Sequence, residues 1–162
     1  MNESKLKVLQ TIAVAMLFAD VLYIPLIYLL QEVVKWQQPL TLDTGSVERY
    51  SFYVAAFLVL SVVALRRFIF FPANLHRKSD NEAFDRWYTM DIIVMSVASS
   101  IGVVGLLSYF LGATYFRALM VIIIGLLVHF TLFPFRFRYQ LRFDQLKAMR
   151  KEAGTSSEGP ES

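Results

Sequence analysis

The chain has 162 residues, of which 56% are hydrophobic and only 18% are charged, whereas a soluble domain usually carries about 25% charged residues. The mean hydropathy is +0.50. Cysteine is absent, which excludes disulfides and thiolate metal sites, and a formal charge of +3 gives no reason to expect nucleic acid as a partner. These properties favour a single domain that lies in a membrane.

Four stretches of the sequence are long and apolar enough to cross a membrane. A hydrocarbon core of about 30 Å requires about 20 apolar residues in a helix, which rises by about 1.5 Å per residue. The spans are predicted at about residues 8–30, 50–71, 90–111 and 115–135. Their apolar residues do not alternate with polar ones, which favours helices over the strands of a barrel. The sequence therefore predicts an all-α fold, an integral membrane four-helix bundle.

The first span raises a question of its own, because it follows Lys5 and Lys7 as the apolar region of a secretory signal would. It is too long for such a signal, however, and it contains Asp20 and Pro25. No small-residue cleavage site follows at the right distance. We therefore interpret it as a retained transmembrane helix.

The basic residues of the loops predict the orientation of the bundle. Thirteen Lys and Arg residues flank the spans on the side of the two termini, and only three lie on the other side, namely Lys35, Arg49 and Arg117. Since basic loops stay in the cytoplasm, both termini are predicted to be cytoplasmic. Aromatic residues typical of membrane interfaces lie at the predicted boundaries, and these are Trp36, Tyr50, Trp87 and Tyr88.

The transmembrane domain is predicted to occupy residues 1–151. The remaining residues, 152–162, read EAGTSSEGPES. They are small, polar and acidic, a composition typical of disordered segments. We expect this tail to be disordered.

The first and third spans are similar to each other, and so are the second and fourth. Aligning the two halves places Asp20 on Ser99 and Arg67 on His129. Such self-similarity at a fixed offset indicates a duplicated unit. The sequence therefore predicts two similar helical hairpins.

Asp20 lies in the middle of an apolar helix, where a carboxyl costs about 2.5–3.5 kcal/mol on insertion scales. A residue of that cost usually faces protein or water instead of lipid. The first interpretation is a hydrogen bond to a hydroxyl of Ser99, Ser100, Tyr23 or Ser61. The second is an ion pair with Arg67 or His129. A third is a carboxyl that binds or relays a cation or proton, and a fourth places Asp20 nearer to a wet surface.

An aromatic and basic strip follows the fourth span. Phe135, Phe137 and Tyr139 alternate there with arginines, and the basic residues predicted to contact lipid headgroups are Arg136, Arg138 and Arg142. The alternative is that these side chains only extend from a helix end toward water.

No enzymatic signature occurs in the sequence, which contains no phosphate loop, no paired-His metal spacing and no nucleophile with a plausible base. His129 by itself does not make a metal or haem site. We therefore expect no catalytic site, no cofactor and no metal.

The stretch IAVAMLFADVLYIPLIYLL resembles the carboxylate-bearing helix of the rotor-ring proteolipids of rotary ATPases. The third span, VMSVASSIGVVGLLSYFLG, together with the helix that follows, resembles small, uncharacterised bacterial four-helix membrane proteins that are sometimes likened to those proteolipids. In that group an acid commonly occupies the position of Ser99. The resemblance implies paired hairpins, whereas the low glycine content of this chain departs from the glycine-rich helices of rotor rings.

The functional expectation is a small multi-pass protein of a cell membrane, specifically a bacterial inner membrane, that serves as an interaction or accessory subunit. Its expected partners are membrane lipids and either further copies of itself or a larger membrane complex. The alternative is a component of proton- or cation-coupled transport, with Asp20 as the exchanging carboxyl.

Overall fold

The computed structural model describes residues 3–34, 43–70 and 79–155, with side chains throughout except at 68–70 and 152–155. These residues form helices and no strand. The five helices are α1 (Glu3–Glu32), α2 (Thr44–Phe70), α3 (Asp80–Phe110), α4 (Tyr115–Leu132) and α5 (Arg136–Thr155).

Each of the first four helices contains a segment long and apolar enough to cross a membrane. Within the described residues, the prediction of an all-helical fold is thereby confirmed, and so is the prediction of four helices with the length and hydropathy of a membrane span. Helices α1, α2 and α3 begin earlier than the predicted spans, most clearly α3, which begins at Asp80 instead of residue 90, whereas α4 begins at the predicted residue. The reason is that hydropathy locates the part of a helix that fits in lipid, whereas local signals set the helix end. Here Ser79 and Glu82 form a capping box that starts α3.

Helices α3 and α4 form the centre of the bundle and approach each other closely at glycines. A Cβ on Gly105 would lie 2.7 Å from Cγ1 of Ile122 and 2.9 Å from the carbonyl oxygen of Ala118. The turn between the helices contains Gly112, whose φ of 115° is a left-handed conformation that favours glycine. Glycine thus permits both the tight turn and the close contact between the two helices that the turn connects.

Helices α1 and α2 flank this central pair. Both pack against α3 and α4 and hardly touch each other. The second half of the chain therefore forms a packed hairpin, whereas the two helices of the first half lie on different parts of the α3–α4 pair. The predicted internal repeat and the cytoplasmic placement of the termini stay predictions.

The fifth helix packs against the first turns of α3 instead of lying alone at the membrane surface. Tyr139, Phe143 and Leu146 follow one another at helical spacing and are buried. The rings of Tyr139 and Phe143 contact Phe84 and Trp87 of α3, with ring centroids 5.1–6.3 Å apart. The alternation of aromatic and basic residues predicts a strip in contact with lipid headgroups, but the helical period places the aromatics on different faces, with Tyr139 buried and Phe137 exposed.

Polar contacts add to this packing. Asp91 of α3 accepts hydrogen bonds from the Tyr139 hydroxyl and from the Arg142 guanidinium, whose Nη1 lies 2.9 Å from Oδ2 of Asp91. Exposed ion pairs also join α1, α3 and α5, namely Lys5–Asp85, Arg136–Glu3 and Arg150–Asp80. We call this part of the bundle, where α1 and α3 begin, α2 ends and α5 lies, the basic end.

Several sequence predictions lie outside the described residues. These are the interfacial Trp36, the loop residues Lys35, Arg77 and Lys78, the end of the second span at residue 71, and residues 156–162 of the predicted disordered tail. The backbone of α5 continues to Thr155, so residues 152–155 extend a helix instead of belonging to that tail. Helix propagation explains this difference, since adding a residue to an existing helix needs no new nucleus.

Candidate functional site: a buried carboxyl between three helices

Asp20 of α1 is fully buried and contacts both helices of the central pair. The Ser99 hydroxyl of α3 donates a hydrogen bond of 2.7 Å to Oδ1 of Asp20. Nδ1 of His129, on α4, lies 2.9 Å from Oδ2. Asp20 and His129 are both 0% exposed. The structure thus combines a hydroxyl from the first predicted interpretation with a histidine from the second.

Glycines make room for this cluster. Gly102 lies one turn after Ser99 on the α3 surface that faces α1, and a Cβ there would be 3.3 Å from Oδ1 of Asp20 and equally close to the ring of Tyr23. On α4, a Cβ on Gly125 would lie 2.9 Å from the backbone nitrogen of Gly102. Helices α3 and α4 approach each other closely at these glycines. His129 lies one turn beyond Gly125 on α4, and this close approach places its ring next to the Asp20 carboxyl.

The carboxyl and the imidazole can share one proton. Either Nδ1–H of His129 donates to the Asp20 carboxylate, or a protonated Asp20 donates to an unprotonated Nδ1. The other ring nitrogen, Nε2, is buried and has no hydrogen-bond partner among the described residues. A buried polar atom without a partner is uncommon and calls for an explanation. The cluster can therefore hold one proton between the Asp20 carboxyl and Nδ1 of His129. The other ring nitrogen, Nε2, is a place for a second proton.

The other predicted intramembrane residues differ in their distance from this cluster. Tyr23 lies beside it, since its ring and the Asp20 carboxyl both face Gly102. Ser100 instead donates to the backbone of Ser96, and Arg67 is exposed on α2. Ser61 likewise donates to the backbone of its own helix.

The three arginines predicted to contact lipid headgroups all have partners inside the protein. Arg136 pairs with Glu3 at 2.8 Å. Arg138 donates to the carbonyl oxygen of Thr131 at the end of α4. Arg142 is buried and pairs with Asp91. These contacts hold α5 to the bundle, and a direct contact with lipid stays a prediction.

Two lateral cavities were not predicted from the sequence. The first, of about 580 Å³, lies between α2 and α3 at the end opposite the basic end, and its walls include Val47, Val54, Val104 and Leu107. The second, of about 460 Å³, lies between α2 and α4 at the basic end. No sequence pattern indicates such cavities, since they depend on how the helices tilt. Asp91 was also missed, although an acid at the start of an apolar span is a visible signal.

Across the described residues, no three His, Asp or Glu side chains come together in a group that could hold a metal ion. The Asp20–His129 pair offers two protein ligands at most.

Comparison with known proteins adds no relative: no family model matches the chain, and no curated protein or solved structure is significantly similar to it.

Proposed function

We propose that the protein is a non-catalytic accessory subunit of a membrane assembly, in a bacterial inner membrane with both termini in the cytoplasm. The observation that carries this proposal is the apolar groove between α2 and α3. Its occupant is proposed to be a transmembrane helix of a partner subunit. The resemblance to rotor proteolipids is compatible with such a role.

The shape of the groove supports a helical partner. Helices in lipid gain little from hydrophobicity when they associate, so close packing and polar contacts decide where they meet. The groove provides a concave surface of valine and leucine side chains, with Ser51 and Ser108 as small polar groups in its wall. These features suit the side chains of an opposing helix.

The charge at the mouth of the groove defines the partner further. Asp43 lies there, and hydrogen bonds from the Ser46 hydroxyl and backbone N–H lower the pKa of its carboxyl. Asp43 is therefore ionised at neutral pH. The partner helix is expected to carry a lysine or arginine at the corresponding end.

The buried polar cluster supports a structural role for Asp20 within this subunit. Its carboxyl oxygens are engaged by Ser99 and His129, and all of its surface is covered. Hydrogen bonds between helices are a common means of holding membrane bundles together. The cluster thus fastens α1 to the central pair.

Photo-crosslinking from single cysteines tests the accessory role. The natural chain has no cysteine, so Leu107→Cys places a benzophenone label in the groove without any background. Leu29→Cys is a matched control, because Leu29 is similarly exposed, 47% against 52%, but lies on α1 near the same end. Labelled protein is irradiated in native membranes and its adducts are identified by mass spectrometry.

The Leu107 label is expected to yield one discrete protein adduct, with a partner that has a basic residue at the corresponding helix end, while the Leu29 label yields lipid adducts. An adduct of twice the mass of the chain would identify a second copy as the partner. Lipid adducts alone from both positions would overturn the proposal.

A second candidate function is proton-coupled transport, and it is favoured by the buried Nε2 atom of His129. A carboxyl that faces one nitrogen of an imidazole, whose second ring nitrogen has no partner among the described residues, can accept and release a proton if the bundle opens to water. Asp20 would be the exchanging carboxyl, with Ser99 as its hydrogen-bond donor and Tyr23 beside it.

Proton flux into liposomes, followed with an enclosed pH-sensitive dye, distinguishes the two functions. Transport requires a flux above that of empty liposomes that Asp20→Asn abolishes and that the surface variant Asp85→Asn preserves. The absence of flux in the unmodified protein would reject transport and leave the accessory role standing.

A further inference from the structure

The cavity between α2 and α4 has two chemically different parts. Toward the middle of the bundle its walls are apolar, formed by Val59, Val63 and Val128. At the basic end they are cationic, formed by Arg66 and Arg67. Val59 lies about 10 Å along the helix from Arg66. The cavity opens sideways, between helices that can span a membrane, so whatever enters it comes from the lipid phase.

Further positive charge surrounds the cationic part. Arg66 also lines a smaller pocket behind it, together with Arg138, Arg142 and Asp91. The residues that line the two pockets thus include four arginines and one acid, and that acid already accepts hydrogen bonds from Tyr139 and Arg142. Among the described residues that line the two pockets, positive charges thus outnumber negative ones, which favours an anion as the ligand.

Thr131 also lines the cavity, but its hydroxyl is not available to donate a hydrogen bond to an anion, because it donates to the carbonyl oxygen of Val128. The guanidinium of Arg67, on the exposed face of α2, makes no hydrogen bond or ion pair within the described residues. Arginine presents several N–H donors in a planar arrangement that suits phosphate oxygens. Arg67 is therefore the most accessible donor at the mouth of the cavity.

We propose that the α2–α4 cavity binds one anionic phospholipid, with its phosphate on Arg66 and Arg67 and an acyl chain along Val59, Val63 and Val128. The apolar wall suits a hydrocarbon chain and the arginines suit a phosphate. These two parts of the cavity are close enough together for the acyl chain and the phosphate of one lipid molecule. The site differs from the predicted headgroup contact at Arg136, Arg138 and Arg142, because it lies beside α2 and extends into the bundle.

Native mass spectrometry of the purified protein with defined lipids tests this site. Phosphatidylglycerol is expected to remain bound as one retained molecule, and zwitterionic phosphatidylcholine is not. Arg66→Gln combined with Arg67→Gln should weaken phosphatidylglycerol retention about tenfold or more, given the attraction between each arginine and an anionic lipid. Val63→Trp, which fills the apolar part, should also reduce retention while all four arginines remain.

The control removes the same charge from another surface of the basic end, through Arg86→Gln combined with Lys147→Gln, both exposed. If this variant lost retention equally, binding would be diffuse attraction to the basic surface and the site would be rejected. Equal retention of the two lipids, or full retention in Val63→Trp, would also overturn the proposal. Arg67→Gln alone is measured as well, in case the double variant does not fold. Thermal unfolding in detergent shows whether the single variant is folded, and its retention of phosphatidylglycerol is then compared with that of the unmodified protein.

Discussion

At the scale of single residues, Asp20 shows how a carboxyl whose insertion into a membrane is unfavourable can become part of the helix packing. One carboxyl oxygen accepts from Ser99 of α3 and the other faces His129 of α4, so a single side chain joins three helices. Removing one member of such a buried pair costs more than the pair itself contributes, because the remaining polar group stays buried without a partner.

Substitutions at Asp20 should therefore differ sharply in their effect on stability. Asp20→Asn retains an oxygen for the Ser99 hydroxyl and an N–H for Nδ1 of His129, and we expect a loss of about 1 kcal/mol or less. Asp20→Leu leaves the buried His129 and the half-buried Ser99 without this partner, and we expect a loss of about 3–5 kcal/mol. Reversible unfolding in mixed detergent micelles measures the difference. Equal stability of the two variants would show that the cluster contributes nothing to packing.

The residue contacts also show how far the sequence alone leads. It provides the depth of Asp20 along α1 and the polar groups of the right type on other spans, and two of these, Ser99 and His129, are its partners. The sequence could not select them, because the choice depends on how each helix is rotated and on the glycine contact between α3 and α4. Ser100 is adjacent to Ser99 in sequence, yet it bonds to its own helix.

At the scale of elements, α5 is the helix that the sequence predicts least well. Hydropathy cannot detect this helix because its polar residues outnumber its apolar ones. Its buried residues nevertheless recur with a helical period, at Tyr139, Phe143 and Leu146. The four apolar helices are readily predicted, since length and hydropathy are sufficient to identify a helix that can span a membrane.

The docking of α5 should depend on pH. Burial, together with the neighbouring charge of Asp91, raises the pKa of the Tyr139 phenol far above its ordinary value. An undocked Tyr139 would lose its proton near pH 10, while the docked form keeps it. Rising pH therefore favours the undocked form above about pH 10, and the stabilisation is complete below that pH.

Fluorescence of Trp87 measures this transition, because its indole contacts Phe143 of α5. A Trp36→Phe background leaves Trp87 as the sole tryptophan of the chain. The emission should shift between pH 10 and 12 in this background, and Tyr139→Phe should remove the shift. An identical shift with phenylalanine at position 139 would assign it to other titrating groups.

At the scale of the whole molecule, the distribution of basic residues predicts the orientation, and the structure concentrates many of them at one end. The ion pairs of the basic end join the start of α1 to α3 and α5. These pairs are exposed and each contributes at most about 1 kcal/mol. The predicted orientation is therefore based on the number of cations in the loops and not on these bonds.

Cysteine accessibility tests the orientation directly, since the natural chain contains no cysteine. In sealed vesicles of known sidedness, Lys7→Cys and Lys147→Cys should react with a membrane-impermeant maleimide only from the cytoplasmic face. Gly45→Cys should react only from the other face. Labelling of positions 7 and 147 from opposite faces would contradict a four-span arrangement with both termini on one side.

The long-range pairing of Asp20 has a consequence for synthesis. Ser99 and His129 follow Asp20 by 79 and 109 residues. At a translation rate of about 5–20 residues per second, about 5–20 s therefore pass between the synthesis of Asp20 and that of His129. During that interval the nascent α1 must enter the lipid with an unsatisfied acid, which its otherwise apolar sequence can tolerate. The final arrangement of the first helix is thus decided only when the fourth has been translated.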